Sequence, residues 1–207
     1  MERKPLITEV YFITHPAWTV SSGLYDVRHT PNQICNRIDG AIKPAVDLAS
    51  KRRNAFVIIV KQGPPPKMNK AKAQYAQYAG LGRRGARNRT AIEKNLAKYI
   101  AGKMGERHVV ISTRNEYEFP DSDYLKNFAG EIAKQIREKG FEISQDAIVW
   151  GLGTYREKCA HAFSEEFMFQ NQPSINLRNL RLPIWGTISQ DEKPAEYERR
   201  RRKKGVW

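Results

Sequence analysis

Arginine, lysine and tyrosine side chains are concentrated in one stretch of this 207-residue chain. Between Lys67 and Arg107, 11 basic residues stand against two acidic ones. Arginine and lysine neutralise backbone phosphates, and tyrosine rings stack on exposed bases. The residues predicted to make these contacts are Lys67, Lys70, Lys72, Tyr75, Tyr78, Arg83, Arg84, Arg87 and Arg89. We therefore expect this stretch to bind DNA or RNA, the alternative being a solvated insertion whose charge only aids solubility.

A second basic segment stands near the end of the sequence. Arg199, Arg200, Arg201 and Arg202 are followed by two lysines, and six consecutive cations cannot pack in a core. The two basic segments carry nearly all of the net charge of +14, so the remaining sequence is close to neutral. We expect the second segment to be an exposed arm that contacts phosphates, or else a plain solubilising terminus.

Glycine and arginine alternate in the middle of the first basic stretch. The segment Gly80–Arg89 is predicted to be a loop that lets a phosphate approach the backbone, with Thr90 capping the helix that follows. It also spells G-x-G-x-x-G. A dinucleotide-binding loop of that pattern must directly follow a strand, and a polar, helix-like stretch precedes this one. Dinucleotide binding is therefore not expected here.

A second candidate site follows the last long strand that the sequence predicts. The turn Gly151–Gly153 would offer backbone N–H groups to an anion, and Arg156 could clamp it. Cys159 comes next, in the first turns of a helix whose dipole would favour its thiolate. The alternative is that the glycines allow tight packing and that Cys159 is a buried, inert thiol.

Four carboxylates follow the strand predicted over residues 108–112. Carboxylates at the carboxyl end of a strand can hold Mg²⁺ for phosphoryl transfer, which beside a basic surface would indicate a nuclease. These candidate metal ligands are Glu116, Glu118, Asp121 and Asp123. Asp121 and Asp123 also suit the start of a helix, where they would only complement its dipole. No cofactor other than this Mg²⁺ is expected.

Strand and helix signals alternate along the chain. Apolar runs predict strands at residues 7–13, 55–60, 108–112 and 147–150, with an edge strand within 175–184. Apolar residues at helical spacing predict helices between them, one striped by Ile34, Ile38, Ile42, Val46 and Ala49. Such alternation is typical of an α/β protein, a three-layer α/β/α sandwich with a mostly parallel, Rossmann-like sheet.

Length and composition predict a single α/β domain over residues 1–190, with the basic insertion at 64–90 and a basic tail at 191–207. No apolar run approaches the ~20 residues of a membrane span, and no signal peptide is apparent. Two distant cysteines suit a reducing compartment, so we expect a cytoplasmic protein without a membrane partner. The sequence leaves self-association open.

The element order resembles that of the isochorismatase-like cysteine hydrolases, over residues 7–167. The resemblance rests on a cysteine, Cys159, that follows a glycine-rich turn after a late strand. Where that family has an aspartate, this chain has Ile13-Thr14-His15, and Arg114 stands in place of the family's lysine. The resemblance therefore implies the fold without the family's catalytic set.

The function expected from the sequence is nucleic-acid binding. The alternatives are a hydrolase or a Mg²⁺-dependent nuclease with its site at the carboxyl ends of the strands, or a structural subunit of a ribonucleoprotein.

Overall fold

A parallel β-sheet forms the centre of the molecule. The computed structural model describes residues 5–17, 35–61, 83–113, 122–153, 159–171, 177–183 and 186–187. In these residues the strands are β1 (Leu6–Thr14), β2 (Ala55–Lys61), β3 (His108–Ser112), β4 (Glu142–Gly153) and β5 (Leu180–Arg181). Every pairing is parallel, and the order is β3-β2-β1-β4-β5. β1 therefore lies inside the sheet, with β2 and β4 as neighbours.

Helices cover both faces of this sheet. They are α1 (Lys43–Ser50), α2 (Arg83–Met104), α3 (Ser122–Glu138) and α4 (His161–Asn171). The chain moves from β1 to β2 and β3 on one side, then returns past β1 to β4 and β5 on the other. Right-handed crossovers in opposite directions put their helices on opposite faces. The predicted three-layer α/β/α sandwich with a parallel sheet is confirmed.

Two hydrophobic cores, one on each face of the sheet, hold the layers together. Tyr11 and Ile13 of β1 point to the core formed with α1 and α2, whereas Val10 and Phe12 point to the core formed with α3 and α4. All four side chains are almost completely buried. Because both faces of β1 and β2 are covered, Val10–Ile13 of β1 and Ala55–Val60 of β2 are continuous apolar runs, which is why the sequence predicted these strands.

A π-helical turn, Ile38–Ile42, leads directly into α1. Pro44 follows it and has no amide hydrogen to donate, and its ring would crowd a carbonyl one turn earlier in a regular helix. The wider turn relieves this crowding, and the amide of Lys43 donates to the carbonyl of Ile38 instead. The apolar stripe at every fourth residue lies between the α and π periods, and its members Ile38, Ile42, Val46 and Ala49 are buried.

Two elements differ from the sequence-based expectation. β4 begins at Glu142 and extends through Gly153, so the predicted turn Gly151–Gly153 is wrong: these residues pair with β1. The polar residues of its first half hid that part of the strand. α2 begins at Arg83, so Thr90 is inside the helix and the predicted loop is wrong from Arg83 onward. Arginine is a good helix former, and its propensity outweighs one glycine.

One further predicted element is present in the structure, and two lie outside the described residues. The predicted edge strand is present as the two residues of β5. The polar helix expected before Gly80 lies outside the described residues, as does the basic tail. No helix in the described ranges is long and apolar enough to cross a membrane.

Replacing Gly153 by alanine should lower the free energy of unfolding by about 2–4 kcal/mol, because of strain and steric overlap. Its φ is +110°, and a Cβ there would lie 2.0 Å from the carbonyl oxygen of Thr14. The control is Gly130→Ala in α3, where a Cβ meets nothing within 4 Å. Helix propensity should make that variant about 0.5–1 kcal/mol more stable. Urea unfolding measures both, and equal effects of the two substitutions would refute this account.

Candidate functional site

The carboxyl ends of the strands form the edge at which an open α/β sheet binds ligands. We call this the carboxyl edge, and it consists of the residues at or just beyond the ends of β1, β2, β3 and β4. The chain leaves β1 toward β2, whereas β4 enters the sheet on the other side of β1. The point where the connections diverge is the usual position of a binding crevice.

Buried polar residues collect at the carboxyl edge. Some of them end a strand or directly follow its last residue. The others pair with the end of a strand or lie in a helix that begins at this edge. In the described part of the chain the buried polar residues are Thr14, His15, Arg37, Glu93, Thr113, Ser164 and Thr187. Burying a polar group has an energetic cost, so such a concentration at one edge is typical of a functional region.

His15 directly follows β1 and has the backbone conformation of a strained residue. Its φ is +44°, and it is the one non-glycine residue in the described ranges with positive φ. Its amide donates to the carbonyl oxygen of Val60 (2.9 Å), which ties the end of β1 to β2. Strict alternation would direct its ring toward the side of Ile13. The ring instead meets Phe163 of α4 edge-on, with centroids 5.7 Å apart.

Arg37 and Lys61 are close in the backbone to the end of β1. The guanidinium of Arg37 is 1% exposed, and its Nη2 donates to the carbonyl oxygen of Pro16. Lys61 ends β2, is half-buried, and has no ion pair with any described residue. Sequence reasoning missed both residues, because nothing in the local pattern distinguishes a buried arginine from one in solvent.

Two hydroxyl groups near the edge are buried and form no hydrogen bond in the described part of the chain: Thr14 Oγ1 and Ser164 Oγ. Thr14 ends β1, and Ser164 is in the first turn of α4. Gly151 makes room for the latter, since a Cβ at that position would lie 2.8 Å from Ser164 Oγ. Neither hydroxyl was identified from the sequence.

The predicted catalytic and metal-binding residues are only partly described. Cys159 is half-buried at the start of the last helical segment and packs against the core beneath α3 and α4; its catalytic role stays a prediction. The amide of Gly153 donates to the carbonyl oxygen of Gly186 (2.8 Å), so it is not available to an anion. Asp123 is exposed and lies 3.8 Å from Lys126.

Within the described ranges, no group of three histidine, cysteine, aspartate or glutamate side chains is arranged so that it could hold a metal ion. The other predicted ligands and clamp, Glu116, Glu118, Asp121 and Arg156, lie outside them and stay predictions. The same is true of the predicted nucleic-acid contacts Lys67, Lys70, Lys72, Tyr75, Tyr78, Arg199, Arg200, Arg201 and Arg202.

Two exposed lysines mark the outward-facing side of α2. Lys94 and Lys98 are exposed, and the buried positions Leu96 and Ile100 define the opposite side. At 3.6 residues per turn, five basic positions fall within about 100° of the helix circumference, centred opposite the buried side. These positions are Arg83, Arg84, Arg87, Lys94 and Lys98. We call this arc the cationic face of α2; Arg89 falls on the buried side by the same register.

Within the described residues, the acidic side chains of α1 and α2 are not available to balance this face. α2 has one, Glu93, which is 4% exposed and on the buried side. Asp47 of α1 lies 2.9 Å from Lys103 and accepts a hydrogen bond from Tyr99 (2.7 Å), so its charge is engaged where the two helices meet. Burial, which is the larger cause, and this hydrogen bond together raise the pKa of Tyr99 to about 12.

Comparison with known proteins adds no assignment. A scan against protein-family models, a search of curated proteins and a search of solved structures each found no match to this chain.

The wild type should lose stability at mildly acidic pH because of His15, and replacing His15 by asparagine should abolish that part of the loss. Burial lowers the pKa of His15 to about 4, so the folded protein keeps the ring neutral while the unfolded chain binds a proton below about 6.5. The free energy of unfolding should therefore fall as the pH drops from about 6.5 to 4, by about 2 kcal/mol at pH 5. Asparagine tolerates positive φ and does not titrate.

Urea unfolding at about pH 7.5 and about pH 5 compares the two proteins under conditions where the histidine titrates and most carboxylates do not. The wild type should lose more stability than His15→Asn. The same loss in both would show that His15 is not the titrating group.

Proposed function

We propose that this chain binds nucleic acid through the cationic face of α2, with affinity that is electrostatic and largely independent of sequence. The observation that carries the proposal is that Lys94 and Lys98 are exposed on the side of α2 opposite Leu96 and Ile100, whereas the single carboxylate of this 22-residue helix is buried. By helical register, the positions of Arg83, Arg84 and Arg87 fall on the same side. Cations that neutralise phosphates release condensed counterions, which is the main source of sequence-independent affinity.

The dimensions of the face suit a phosphate backbone. At 1.5 Å per residue, Arg84 and Lys98 are about 21 Å apart along α2. Duplex DNA carries one phosphate per ~1.7 Å of axis when both strands are counted, so a segment of that length carries about a dozen phosphates, of which those on the near side face a surface that lies along it.

The residues between these cations are small. Ala91, Asn95, Ala101 and Gly102 fall on or beside the cationic face, and a Cβ at Gly102 would meet nothing within 4 Å. Small residues allow a backbone to approach, but they offer neither aromatic rings nor a set of side chains that could read base edges. Contacts to phosphates position a protein without selecting a sequence.

Helix α3, in the opposite layer of the molecule, has the mixed charges of an ordinary solvated helix. α3 carries three acidic and three basic residues, and Lys126 and Lys134 lie 3.8 Å and 3.9 Å from the carboxylates of Asp123 and Glu138. Mixed signs suffice for solubility. The single sign on α2 therefore favours a binding surface over a solubilising one. The basic residues predicted at 67–78 and 199–202 would extend the surface.

Replacing Lys94 and Lys98 by glutamine should weaken binding to duplex and single-stranded oligonucleotides of any sequence. If each lysine neutralises one phosphate, the slope of log K against log salt should become shallower by about 2. Fluorescence anisotropy across a salt series measures both quantities. Replacing Arg83, Arg84, Arg87 and Arg89 by alanine should act in the same direction.

The matched control removes the same charge from the other layer, with Lys126→Gln and Lys134→Gln in α3. That variant should bind with nearly the affinity and salt slope of the wild type. Equal weakening in both double variants would mean that only the total charge matters. Unchanged binding in the α2 variant would exclude α2 from the interface.

A further inference from the structure

We infer that the outer edge of β3 pairs with the same edge of a second copy of this chain, as an antiparallel contact centred on Val110. The partner is another molecule of the same protein, and the contact joins two five-stranded sheets into one. The inference rests on the edge of the sheet and on one side of α2, and it does not depend on nucleic-acid binding.

The two edges of the sheet are protected to different degrees. β5 is an edge of two residues, with an exposed arginine, Arg181, and with Pro183 shortly after it. β3 is an edge of five residues that contains no lysine, arginine or proline and pairs with β2 in one continuous register. Short strands, charges, prolines and bulges are the features that keep an edge from pairing with another chain. β3 has none of these four features, and no described residue pairs with it on its outer side.

The hydrogen bonds to β2 show which backbone groups of β3 point outward. The amide of Val57 donates to the carbonyl oxygen of Arg107 (3.0 Å), and the amide of Thr113 donates to the carbonyl oxygen of Lys61 (3.0 Å). Backbone groups of a strand alternate between its two sides, so the odd-numbered residues of this stretch face β2. The groups that point away from the sheet are therefore the N–H and C=O of His108, Val110 and Ser112.

The spacing of these outward groups is self-complementary. In an antiparallel pair centred on Val110, that residue lies opposite its counterpart, and His108 lies opposite Ser112 of the second copy. Residues opposed in this way exchange both of their N–H···O bonds, and here no like charges are opposed. A two-fold axis, the commonest symmetry of protein dimers, therefore satisfies every outward-pointing backbone group of β3.

Side chains next to this edge are incompletely covered although they belong to the cores. Val110 packs against the core formed with α1 and α2, and Ile111 packs against the core formed with α3 and α4. Both are half-buried, whereas Ile59 and Val60 of β2 are 0% exposed. A parallel sheet normally buries both of its faces. A second sheet that continues from β3 would extend both cores across the contact and cover these apolar side chains.

One side of α2 faces the region beyond β3. α1 packs on β1 and β2, whereas α2 packs on β2 and β3, so the side of α2 away from α1 is the side toward the edge. α1 meets α2 where Asp47 contacts Tyr99 and Lys103. At about 100° per residue, Ala97 and Ala101 fall on the opposite side of the helix.

These small side chains allow a second α2 to approach. A two-fold axis through the β3 pair places two α2 helices side by side and antiparallel on one face of the joined sheet. Packed helices lie about 8–10 Å apart, which alanines at the contact permit. Lys94 and Lys98 point outward instead, so they stay accessible, and the lysines of the two copies repel each other. Salt should therefore strengthen self-association, although it weakens binding to nucleic acid.

Sedimentation velocity of the full chain without nucleic acid tests the inference, over about 1–100 µM protein at about 0.15 M and about 0.5 M salt. The wild type should pass from monomer to dimer in this range, at lower protein concentration in the higher salt. The double variant Lys94→Gln and Lys98→Gln should still dimerise, which separates this contact from the nucleic-acid surface.

Ser112→Pro should weaken dimerisation about tenfold or more, because proline removes an outward-pointing amide and its ring occupies the edge. The amide of Ser112 does not pair with β2, and proline is tolerated at such positions of edge strands, so the variant should fold. Circular dichroism and urea unfolding check this. The matched control is Ser112→Ala, which keeps the amide and should dimerise as the wild type does.

Ala101→Arg tests the helix contact without altering β3, and it keeps the inference testable if Ser112→Pro fails to fold. Its control is Ala91→Arg, which adds the same charge at an exposed alanine on the outer side of α2. Ala101→Arg should weaken dimerisation, and Ala91→Arg should change it little. The inference is overturned if the wild type stays monomeric up to about 100 µM at both salt concentrations, or if a folded Ser112→Pro or Ala101→Arg variant dimerises as tightly as the wild type.

Discussion

The hydrogen bonds that hold β1 between β2 and β4 fix the position of every other element. β1 pairs along six residues with β2 and along eight with β4, and its side chains are buried against helices on both faces. Because the chain reaches β2 on one side and β4 on the other, right-handed crossovers place α1 and α2 on one face and α3 and α4 on the other. The same constraint makes the end of β1 the point where the connections diverge.

This arrangement separates the polar chemistry of the molecule into two regions. Buried polar groups gather at the carboxyl edge, where His15 has a strained backbone and Arg37 is enclosed. The exposed lysines Lys94 and Lys98 lie on the outer side of α2, whose inner side is held by Leu96 and Ile100 in the core. The proposed function concerns the second of these regions.

The elements that could be predicted correctly from the sequence are those whose residues form a single clear pattern. β2 is a continuous apolar run because both of its faces are covered, and β3 was predicted over the residues it occupies. β4 was predicted too short, because four of the five residues of Glu142–Asp146 are polar and three of the five are exposed. The start of α2 was placed too late because glycine and repeated arginine are typical of loops, although arginine itself favours helix.

The candidate site was harder to predict. Thr14 and Ser164 are small polar residues of a kind found throughout any protein, and Arg37 lies in a helix whose apolar stripe gives no hint of a buried guanidinium. Their positions follow from the strand order, which brings β1, β2 and the start of α4 to one edge. Local patterns do not contain that order. The cationic face of α2 was partly visible as charge, but its separation from Glu93 required the helical register.

The most direct test of the central claim is the affinity of the unmodified chain for a random-sequence duplex, measured by fluorescence anisotropy from low to physiological salt. The account predicts micromolar or tighter binding at low salt, with a slope of log K against log salt of about −4 if the five cations of α2 engage about as many phosphates. No binding at low salt, or binding that does not change with salt, would contradict it.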